Sequence, residues 1–309
     1  MEIAWLKDFL AVVAHGGFSR AAENRNITQP ALSRRIRALE DWVGTPLFHR
    51  TTHSVELTAA GDSFQVTAEE TLRRLASGRD EAREVAQGHA EQLRFAATNA
   101  LSLTFFPAWL RGVEAVLPFT INVQMAANHM DICERMMIQG QAQFLLCHHY
   151  PGAATLLAPG QFRSIHVGDD VLVPVSAPDG EGGPLFVLPG SAAAAVSYLA
   201  YRPESGMGRI VAAALETGLP PTCLKPTFTS HLAKLLVTMA LEGRGLGWSP
   251  LSLVGDHLAR GELVRAGDEG WDIPMEIHLY RSRARQTAVA EKFWAHVAAQ
   301  RHEPVVMPL

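Results

Sequence analysis

The stretch TQPALSRRIRALE, Thr28 to Glu40, decides the fold of the N-terminal part of this chain. Its apolar residues recur at steps of three and four, which indicates one buried side of a helix: Leu32, Ile36 and Leu39. Pro30 suits the first helical turn, because the N–H that a proline lacks has no partner at that position. We expect the hydroxyl of Thr28 to cap this helix and Gly44 to end it.

A second side of the same helix carries polar and cationic groups: Thr28, Gln29, Ser33, Arg34 and Arg37. A helix that enters the major groove of DNA needs short hydrogen-bonding side chains at its N-terminal end, where base edges are near, and longer cations where phosphates pass. This order of residues is the one expected of a helix-turn-helix recognition helix. For single arginines an alternative interpretation stays open, in which Arg35 or Arg37 only pairs with Glu40 or Asp41.

The flanking segments fit the same small domain. An amphipathic first helix stops at Gly16 and Gly17, and a short second helix starts near Ser19. The segment TPLFHRTTHSVELT predicts a small hairpin, or wing, whose Arg50 reaches the flanking DNA backbone or the minor groove. Thr58 is expected to cap a long helix that runs to about Gln87. Its apolar stripe indicates pairing with a second copy of the chain: Ala68, Leu72, Leu75, Ala82 and Ala86.

Length and composition restrict the class of protein to which this chain can belong. The chain has 309 residues, of which 48% are hydrophobic and 19% charged, and these values are ordinary for a globular protein of two domains. No apolar run approaches the roughly 18 residues that a membrane-spanning helix needs, so we expect no membrane association. The net charge is −4, although cations outnumber acids between Arg20 and Arg50. Three widely spaced cysteines, Cys133, Cys147 and Cys223, predict a reducing cytoplasm.

The segment from about Trp5 to Gly61 resembles the N-terminal domain of LysR-type transcriptional regulators. It includes DFLAVVAHGGFSRAAENRNITQPALSRRIRALEDWVGTPLFHRTTHSVELTAAG, and each part falls in the order of that family. Thr28 stands where the family more often has serine, a change that retains a hydroxyl. By this resemblance the expected groove and phosphate contacts are Thr28, Gln29, Ser33 and Arg34, with Arg50 on the wing. Ser19 and Arg37 are also expected to contact DNA.

From about residue 90 onward the pattern alternates between strands and helices, beginning with the strand LRFAAT. Such alternation predicts an α/β fold with a parallel sheet. This part is similar to the effector domain of the same family, two α/β lobes like those of periplasmic binding proteins. The full prediction is an all-α winged helix-turn-helix domain at 1–58, a dimerisation helix at 59–89 and an effector-binding domain at 90–309. Lobe I of that domain would comprise about 90–163 and 270–303, and lobe II about 164–269.

Ligands of open α/β sheets bind beyond the C-terminal strand ends, where helix N-termini direct N–H groups into a crevice. This rule selects eight candidates for effector binding: Asn99, Ala100, Ser102, His148, Arg202, Met207, Thr229 and Ser230. Hydroxyl and amide donors at helix starts suit an anion or a small polar molecule. The alternative is that these residues only cap their helices.

Several segments of this half resemble the hypochlorite-responsive LysR-type regulators, in which methionine oxidation is the proposed signal: NALSLTFFP, SGMGR, FTSHLAKLLVTMALEGRGLGWSP and YRSRARQTAVAEKFW. Met207 is therefore the redox candidate, since a thioether beside a cleft can become a polar sulfoxide and signal oxidative stress. Plain apolar packing of Met207 is the alternative. Where those relatives place a methionine just inside the next helix, this chain has Leu232, which counts against the comparison.

Catalytic and metal-binding interpretations rest on His129, Cys133 and the run Cys147–His149. His129 and Cys133 are four residues apart, a spacing that suits one helix face. This set lacks a repeated ligand pair, and no acid is placed to orient a catalytic imidazole. We therefore expect no enzyme activity, no cofactor and no metal ligands.

The sequence thus predicts a cytoplasmic transcriptional regulator. It would bind double-stranded promoter DNA at an interrupted palindrome, as a homodimer or homotetramer, and respond to a small-molecule or oxidant effector in the cleft of its C-terminal domain. A redox sensor that uses methionine or cysteine oxidation, or a metal sensor, is the alternative.

Overall fold

The computed structural model describes residues 1–50, 55–87, 92–191 and 193–299. This part of the chain forms two compact units. The first runs from the N-terminus through a long helix that ends at Gln87 and includes the short segment Ile138–Gln141, and the second contains the rest. None of the helices in the described ranges combines sufficient length with sufficient apolar character to cross a membrane.

Four helices and one hairpin make up the first unit: α1 Ile3–His15, α2 Phe18–Asn24, α3 Gln29–Val43, β1 Phe48–Arg50, β2 Val55–Leu57 and α4 Ala59–Gln87. Leu32, Ile36 and Leu39 of α3 are fully buried, as their spacing predicts, and pack with Phe9 and Val12 of α1 and with Leu47 ahead of the hairpin. β1 and β2 pair antiparallel, which gives the predicted wing. The first unit therefore has a single apolar core beneath α3.

The helix ends of this unit follow from a few residues. Gly16 and Gly44 adopt left-handed backbone angles, φ 62° and φ 87°, and end α1 and α3. The hydroxyl of Thr58 accepts a hydrogen bond from the backbone N–H of Gly61 at 2.9 Å, so the predicted cap of α4 is confirmed. Thr28 occupies the capping position of α3 but its side chain makes no cap hydrogen bond, so that detail of the prediction is wrong.

The second unit alternates strands and helices: β3 Gln92–Thr98, α5 Asn99–Thr104, α6 Phe106–Glu114, β4 Asn122–Asn128, α7 Met130–Ile138, β5 Phe144–His149, β6 Phe162–Ser176, β7 Val196–Tyr201, α8 Gly206–Thr217, β8 Leu224–Ser230, α9 Ala233–Leu241, β9 Gly247–Pro250, α10 Leu251–Ala259, β10 Val264–Arg265, β11 Ile273–Ser282 and α11 Ala288–Ala299. A short 3₁₀ helix, Glu269–Trp271, precedes β11. The segment PLFVLPG, whose composition favours a strand, lies outside these strands and contains two prolines that cannot donate to a ladder.

Two lobes share one mixed sheet. Its strand order is β10-β6-β11-β5-β3-β4, with β9 on β6, while β7 and β8 form a separate parallel pair. The sequence predicts a parallel sheet, and β3 does pair parallel with β4 and β5. However, β11 runs antiparallel to both β5 and β6, because it returns the chain from the second lobe to the first.

The long strand β6 passes through both lobes. Its residues Phe162–Leu172 pair with β11, and its last residues pair with β9 and β10. Each lobe has its own core on either side of this strand. An aromatic cluster that includes Phe95, Trp109 and Phe293 fills the first lobe, and Trp248 is completely buried in the second.

Candidate DNA-binding surface and effector cleft

Helix α3 presents its second side to solvent. Thr28, Gln29, Arg34 and Arg37 are exposed, and Ser33 is half-buried beside them. Because the opposite side of α3 is sealed in the core, these side chains keep one orientation relative to the domain. Ser19 at the start of α2 is also exposed. The side chain of Arg50 lies outside the described part of the structure.

Two arginines of this region form ion pairs with a buried acid and so have a structural role. Arg35 pairs with the fully buried carboxylate of Asp8 at 3.0 Å, and Arg25 pairs with the same carboxylate at 2.7 Å. Glu40 instead accepts the backbone N–H of Leu47 at 2.9 Å and so holds the chain ahead of the wing. The alternative interpretation is therefore right that Arg35 forms an ion pair, although the acid is Asp8.

Within the described ranges, Arg34 and Arg37 form no ion pair. Both guanidinium groups are exposed on α3, one turn from the small polar residues at its start. An exposed guanidinium group that is not held in an ion pair can bind phosphate oxygens, and exposed polar groups at the helix start can reach base edges.

A cleft in the second unit encloses about 470 Å³ of empty space, counting its open mouth. Its walls are formed by strand ends and by the first residues of several helices: Thr98, Asn99, Ala100, Asn128, His129, Met130, His148, Ser205, Gly206, Met207, His231 and Ala233. The helices α7, α8 and α9 all begin at this cleft. The first N–H groups of a helix lack partners within it, and the helix dipole makes this end partially positive. The cleft therefore suits an anion or a strongly polar molecule.

His148 is fixed at the base of this cleft by a buried acid. Its Nε2 lies 3.1 Å from Oδ2 of Asp170, and both side chains are almost completely buried. Ser252 donates its hydroxyl to the same carboxylate oxygen at 2.6 Å. The carboxylate thus stands between hydroxyl and imidazole, an order that orients the imidazole and does not activate the serine as a nucleophile.

The ionisation of Asp170 follows from these contacts. Burial disfavours the charged form, but the hydrogen bonds from His148, Ser252 and the backbone N–H of Val171 outweigh it and lower the pKa below its ordinary value of 3.8. Nε2 is thus hydrogen-bonded, whereas the buried Nδ1 atom of His148 has no hydrogen-bond partner among the residues that the structure describes. Thr98 also lines the cleft, and its hydroxyl is likewise buried without a hydrogen-bond partner among the described residues.

Four of the eight predicted effector residues line the cleft: Asn99, Ala100, His148 and Met207. The other four do not. Ser102 donates its hydroxyl to the carbonyl of Asn99, and Arg202 pairs with Glu204. Ser230 accepts the N–H of Leu232, the residue before α9, and Thr229 is an exposed residue of β8.

Sequence reasoning missed Asn128, His129 and His231 as cleft residues. Asn128 ends β4, and His231 directly follows β8, so the rule of C-terminal strand ends applies to both. The imidazole rings of His129 and His231 lie 5.0 Å apart across the cleft. The predicted strand FTINVQMA ends two residues before the observed end of β4, so Asn128 and His129 were missed. The end of β8 agrees with the predicted strand CLKPTFTS, and His231 was missed because Ser230 was selected in its place.

Two of the three thiols are poor candidates for a reactive group. Cys133 and Cys147 are buried, and burial raises the pKa of Cys133 to about 12 and that of Cys147 well above its ordinary range. Since the thiolate is the reactive form, both thiols stay protonated and protected at neutral pH. Cys223 is half-buried.

A helix-turn-helix unit followed by a two-lobed α/β unit with a polar cleft defines the class of two-part bacterial regulators. Residues 3–62 match the family described as bacterial regulatory helix-turn-helix protein, lysR family, and residues 86–301 match the LysR substrate binding domain. The chain belongs to the LysR family of DNA-binding transcriptional regulators.

Individual relatives cover nearly the whole chain. The transcriptional regulator YjiE of Escherichia coli K12 is 32% identical over 95% of this chain and 93% of its own length. The full-length structure of HypT from Salmonella typhimurium, a hypochlorite-specific LysR-type regulator, is 30% identical with a TM-score of 0.56 and covers 97% of this chain and 98% of its own. The structure of DarR from Vibrio fischeri in complex with DNA is 30% identical with a TM-score of 0.55 over 96% of this chain and 98% of its own.

Proposed function

We propose that this protein is a cytoplasmic regulator that binds promoter DNA through α3, as a dimer or tetramer, and that an effector in the cleft of the second unit changes this binding. The observation that carries the proposal is the division of α3 into a sealed apolar side and an exposed side with small polar groups before cations. DNA binding is supported by the relative DarR, whose structure was solved with DNA. The free cysteines suit a reducing compartment.

Pairing with a second copy is supported by α4. Leu75 and Ala82, seven residues apart on this helix, are exposed, and a seven-residue apolar repeat is the pattern by which helices pair. Two-fold pairing would present two α3 helices to half-sites about one DNA turn apart, or a multiple of it. The expected target is accordingly an interrupted palindrome.

The test compares single substitutions on α3 in DNA-binding titrations at several salt concentrations. Arg34→Ala should weaken binding to all sequences by a similar factor and lower the slope of log K against log salt by about one, because one phosphate contact is lost. Gln29→Ala should instead alter the preference among operator variants. Arg260→Ala, which removes an exposed cation from the second unit, is the matched control and should change neither property. Binding that is indifferent to both α3 substitutions would refute the role of α3.

For the effector we propose a small anion or polar molecule. The N-termini of α7, α8 and α9 at the cleft support an anion. The buried hydroxyl of Thr98 and the buried Nδ1 of His148 have no partner among the described residues, and they support a polar molecule, because such atoms are costly unless a ligand or water satisfies them. A metabolite screen by thermal shift, followed by DNA footprinting, tests this proposal. Thr98→Val should weaken the response to any hit at least about tenfold, given the cost of a missing hydrogen bond. Ser102→Ala, whose hydroxyl bonds within its own helix, is the control.

An oxidant is the second candidate effector, and the position of the Met207 side chain favours it. Its side chain is half-buried at the wall of the cleft, where a small oxidant has access. Hypochlorous acid would transfer one oxygen atom to the thioether and leave as chloride and a proton, which yields a sulfoxide. Mass spectrometry after limited oxidation should find Met207 modified before the buried Met275, and Met207→Leu should abolish any accompanying change in the footprint. A footprint that responds equally in Met207→Leu would exclude this route.

A further inference from the structure

A cluster of imidazoles and carboxylates lies on one face of the sheet, where β5, β6 and β11 run side by side. In the strand register, Glu276 of β11 stands opposite His149 of β5 and Asp169 of β6. Two residues along β11, His278 stands opposite His166 of β6. Since residues two apart in a strand share a face, all five side chains point to the same side of the sheet.

An irregularity in β6 brings His166 to this face. The pairing register shifts between Ile277 and His278, so that Gly168 faces Ile277 but His166 faces His278. Without the extra residue, His166 and Asp169, which are three apart, would point to opposite faces. In the structure Nε2 of His166 and Oδ1 of Asp169 are 2.9 Å apart.

Three side chains of this cluster offer ligand atoms at close range. One nitrogen or oxygen from each of His149, Glu276 and His278 lies within 4.8 Å of the others. Nε2 of His278 and Oε2 of Glu276 are 2.6 Å apart, and the rings of His149 and His278 stack with centroids 4.3 Å apart. A tetrahedral ion bound at about 2.1 Å separates its ligand atoms by roughly 3.4 Å. To reach this geometry the exposed Glu276 carboxylate would turn away from His278 and the two stacked rings would tilt toward the ion.

The outer contacts also resemble those of bound histidines. The hydroxyl of Tyr280 lies 3.1 Å from Nδ1 of His149, and the hydroxyl of Ser164 lies 3.0 Å from Nδ1 of His278. Histidines that bind a metal through one ring nitrogen generally hold the other nitrogen in such a hydrogen bond, which fixes ring orientation and tautomer. Nε2 of His278 faces the carboxylate of Glu276, so an ion bound here would insert between these two groups.

We propose that His149, His278 and Glu276 bind one divalent transition-metal ion of the zinc type, with a fourth position left to water or to His166. Imidazole nitrogen together with one carboxylate oxygen favours such ions over magnesium or calcium, which prefer oxygen ligands alone. The ion would link β5 to β11, one of the two strands that pass between the lobes. This site is additional to the effector cleft and its existence does not depend on the proposed DNA-binding function.

The experiment measures Zn²⁺ binding by competition calorimetry on the full-length protein without a histidine tag, after removal of metal with EDTA and exchange into chelator-free buffer. We expect one saturable site per chain, and Co²⁺ in its place should give the intense visible absorption of a tetrahedral site. Glu276→Gln and His278→Ala should each weaken Zn²⁺ binding by at least about tenfold. Glu276 is exposed at the strand surface, so Glu276→Gln tests the site even where His278→Ala lowers stability.

Two controls separate this site from other histidines. The double substitution His129→Ala/His231→Ala removes the imidazole pair of the cleft, and His257→Ala removes a remote imidazole that pairs with Glu262. Neither should change the affinity for Zn²⁺. The proposal is overturned if no saturable binding occurs below about 100 µM, if Glu276→Gln binds like the wild type, or if the cleft substitutions abolish binding instead.

Discussion

Replacement of Asp170 should destabilise the second unit and alter the chemistry of the cleft at the same time. The carboxylate accepts four hydrogen bonds from three residues. Oδ1 accepts the backbone N–H groups of Val171 at 2.8 Å and of Ser252 at 3.2 Å. Oδ2 accepts the Ser252 hydroxyl at 2.6 Å and lies 3.1 Å from Nε2 of His148.

The size of the effect depends on which of these contacts a substitution retains. Asp170→Ala leaves several buried donors without partners, and each buried donor without a partner costs about 1–3 kcal/mol of unfolding free energy. Asp170→Asn keeps Oδ1 as an acceptor and places an amide NH₂ where Oδ2 was. The Ser252 hydroxyl and the imidazole must then accept instead of donate, which we expect to cost about 1–3 kcal/mol.

The asparagine substitution also reverses the hydrogen-bonding role of Nδ1 in His148, a residue that lines the cleft. In the tautomer of His148 that donates Nε2–H to the carboxylate, the buried Nδ1 atom is a hydrogen-bond acceptor. In Asp170→Asn, Nε2 must accept a hydrogen bond from the introduced amide, so Nδ1 carries the proton and becomes a donor. Effectors that need an acceptor at this position should lose affinity in Asp170→Asn, whereas anions should not.

The pH dependence has a definite sign. The pKa of Asp170 in the folded protein is lowered from 3.8, so its contribution to stability is complete above the unfolded pKa and is lost as pH falls through the folded value. The difference in unfolding free energy between wild type and Asp170→Asn should therefore be constant above about pH 5 and shrink below about pH 4.

Urea unfolding of the full-length protein in the presence of EDTA measures these differences, with tryptophan fluorescence as the signal. Trp248 and Trp271 are buried in the lobe that contains Ser252 and report on its unfolding. The matched control is Asp169→Ala, one residue away, whose exposed pair with His166 should contribute less than about 1 kcal/mol. If Asp170→Ala costs no more than Asp169→Ala, the buried hydrogen-bond network does not stabilise the fold as described.

Three further predictions concern other buried groups. Asp8→Ala should lower the opening free energy of the first unit by about 1–3 kcal/mol, measured by hydrogen–deuterium exchange, because two partly exposed guanidinium groups lose a buried acid; unchanged exchange would contradict this. Cys223 should react with iodoacetamide at pH 8 well before Cys133, whose pKa burial raises to about 12; equal rates of modification by mass spectrometry would contradict it. Glu291→Gln should cost about 1–2 kcal/mol at pH 7 after allowance for solvent screening, since the hydrogen bond from Arg281 lowers the Glu291 pKa to about 2. This cost should disappear in urea titrations as pH falls from about 4.5 toward 2, and a cost independent of pH would count against the ion pair.

Local patterns were sufficient for the first unit. The period of Leu32, Ile36 and Leu39 places them on one side of α3 whatever the rest of the chain does, because helix geometry relates residues three and four apart. The glycine that ends α3 follows from its left-handed backbone, which other residues rarely adopt. The partner of Arg35 could not be predicted, since Asp8 lies 27 positions away on another helix.

The effector cleft was only partly predictable. The rule of strand ends leads to Asn99 and His148, because the end of a strand is visible in the sequence pattern. It does not tell a residue that faces the cleft from its neighbour, and Ser230 and His231 differ in this respect although they are adjacent. Because side chains alternate between the two faces of a strand, a position that is wrong by one residue places the side chain on the opposite face.

The sequence by itself therefore determined the family, the side of α3 that faces solvent and the alternation of strands and helices, because each depends on residues close together in the chain. Only the tertiary structure decided that β11 is antiparallel, that Ser252 reaches Asp170 across 82 positions, and that His149 meets Glu276. These contacts depend on strand register and on the return of the chain between lobes. The sequence pattern shows neither the register nor the return of the chain, because a strand has the same two-residue repeat of side chains in every register.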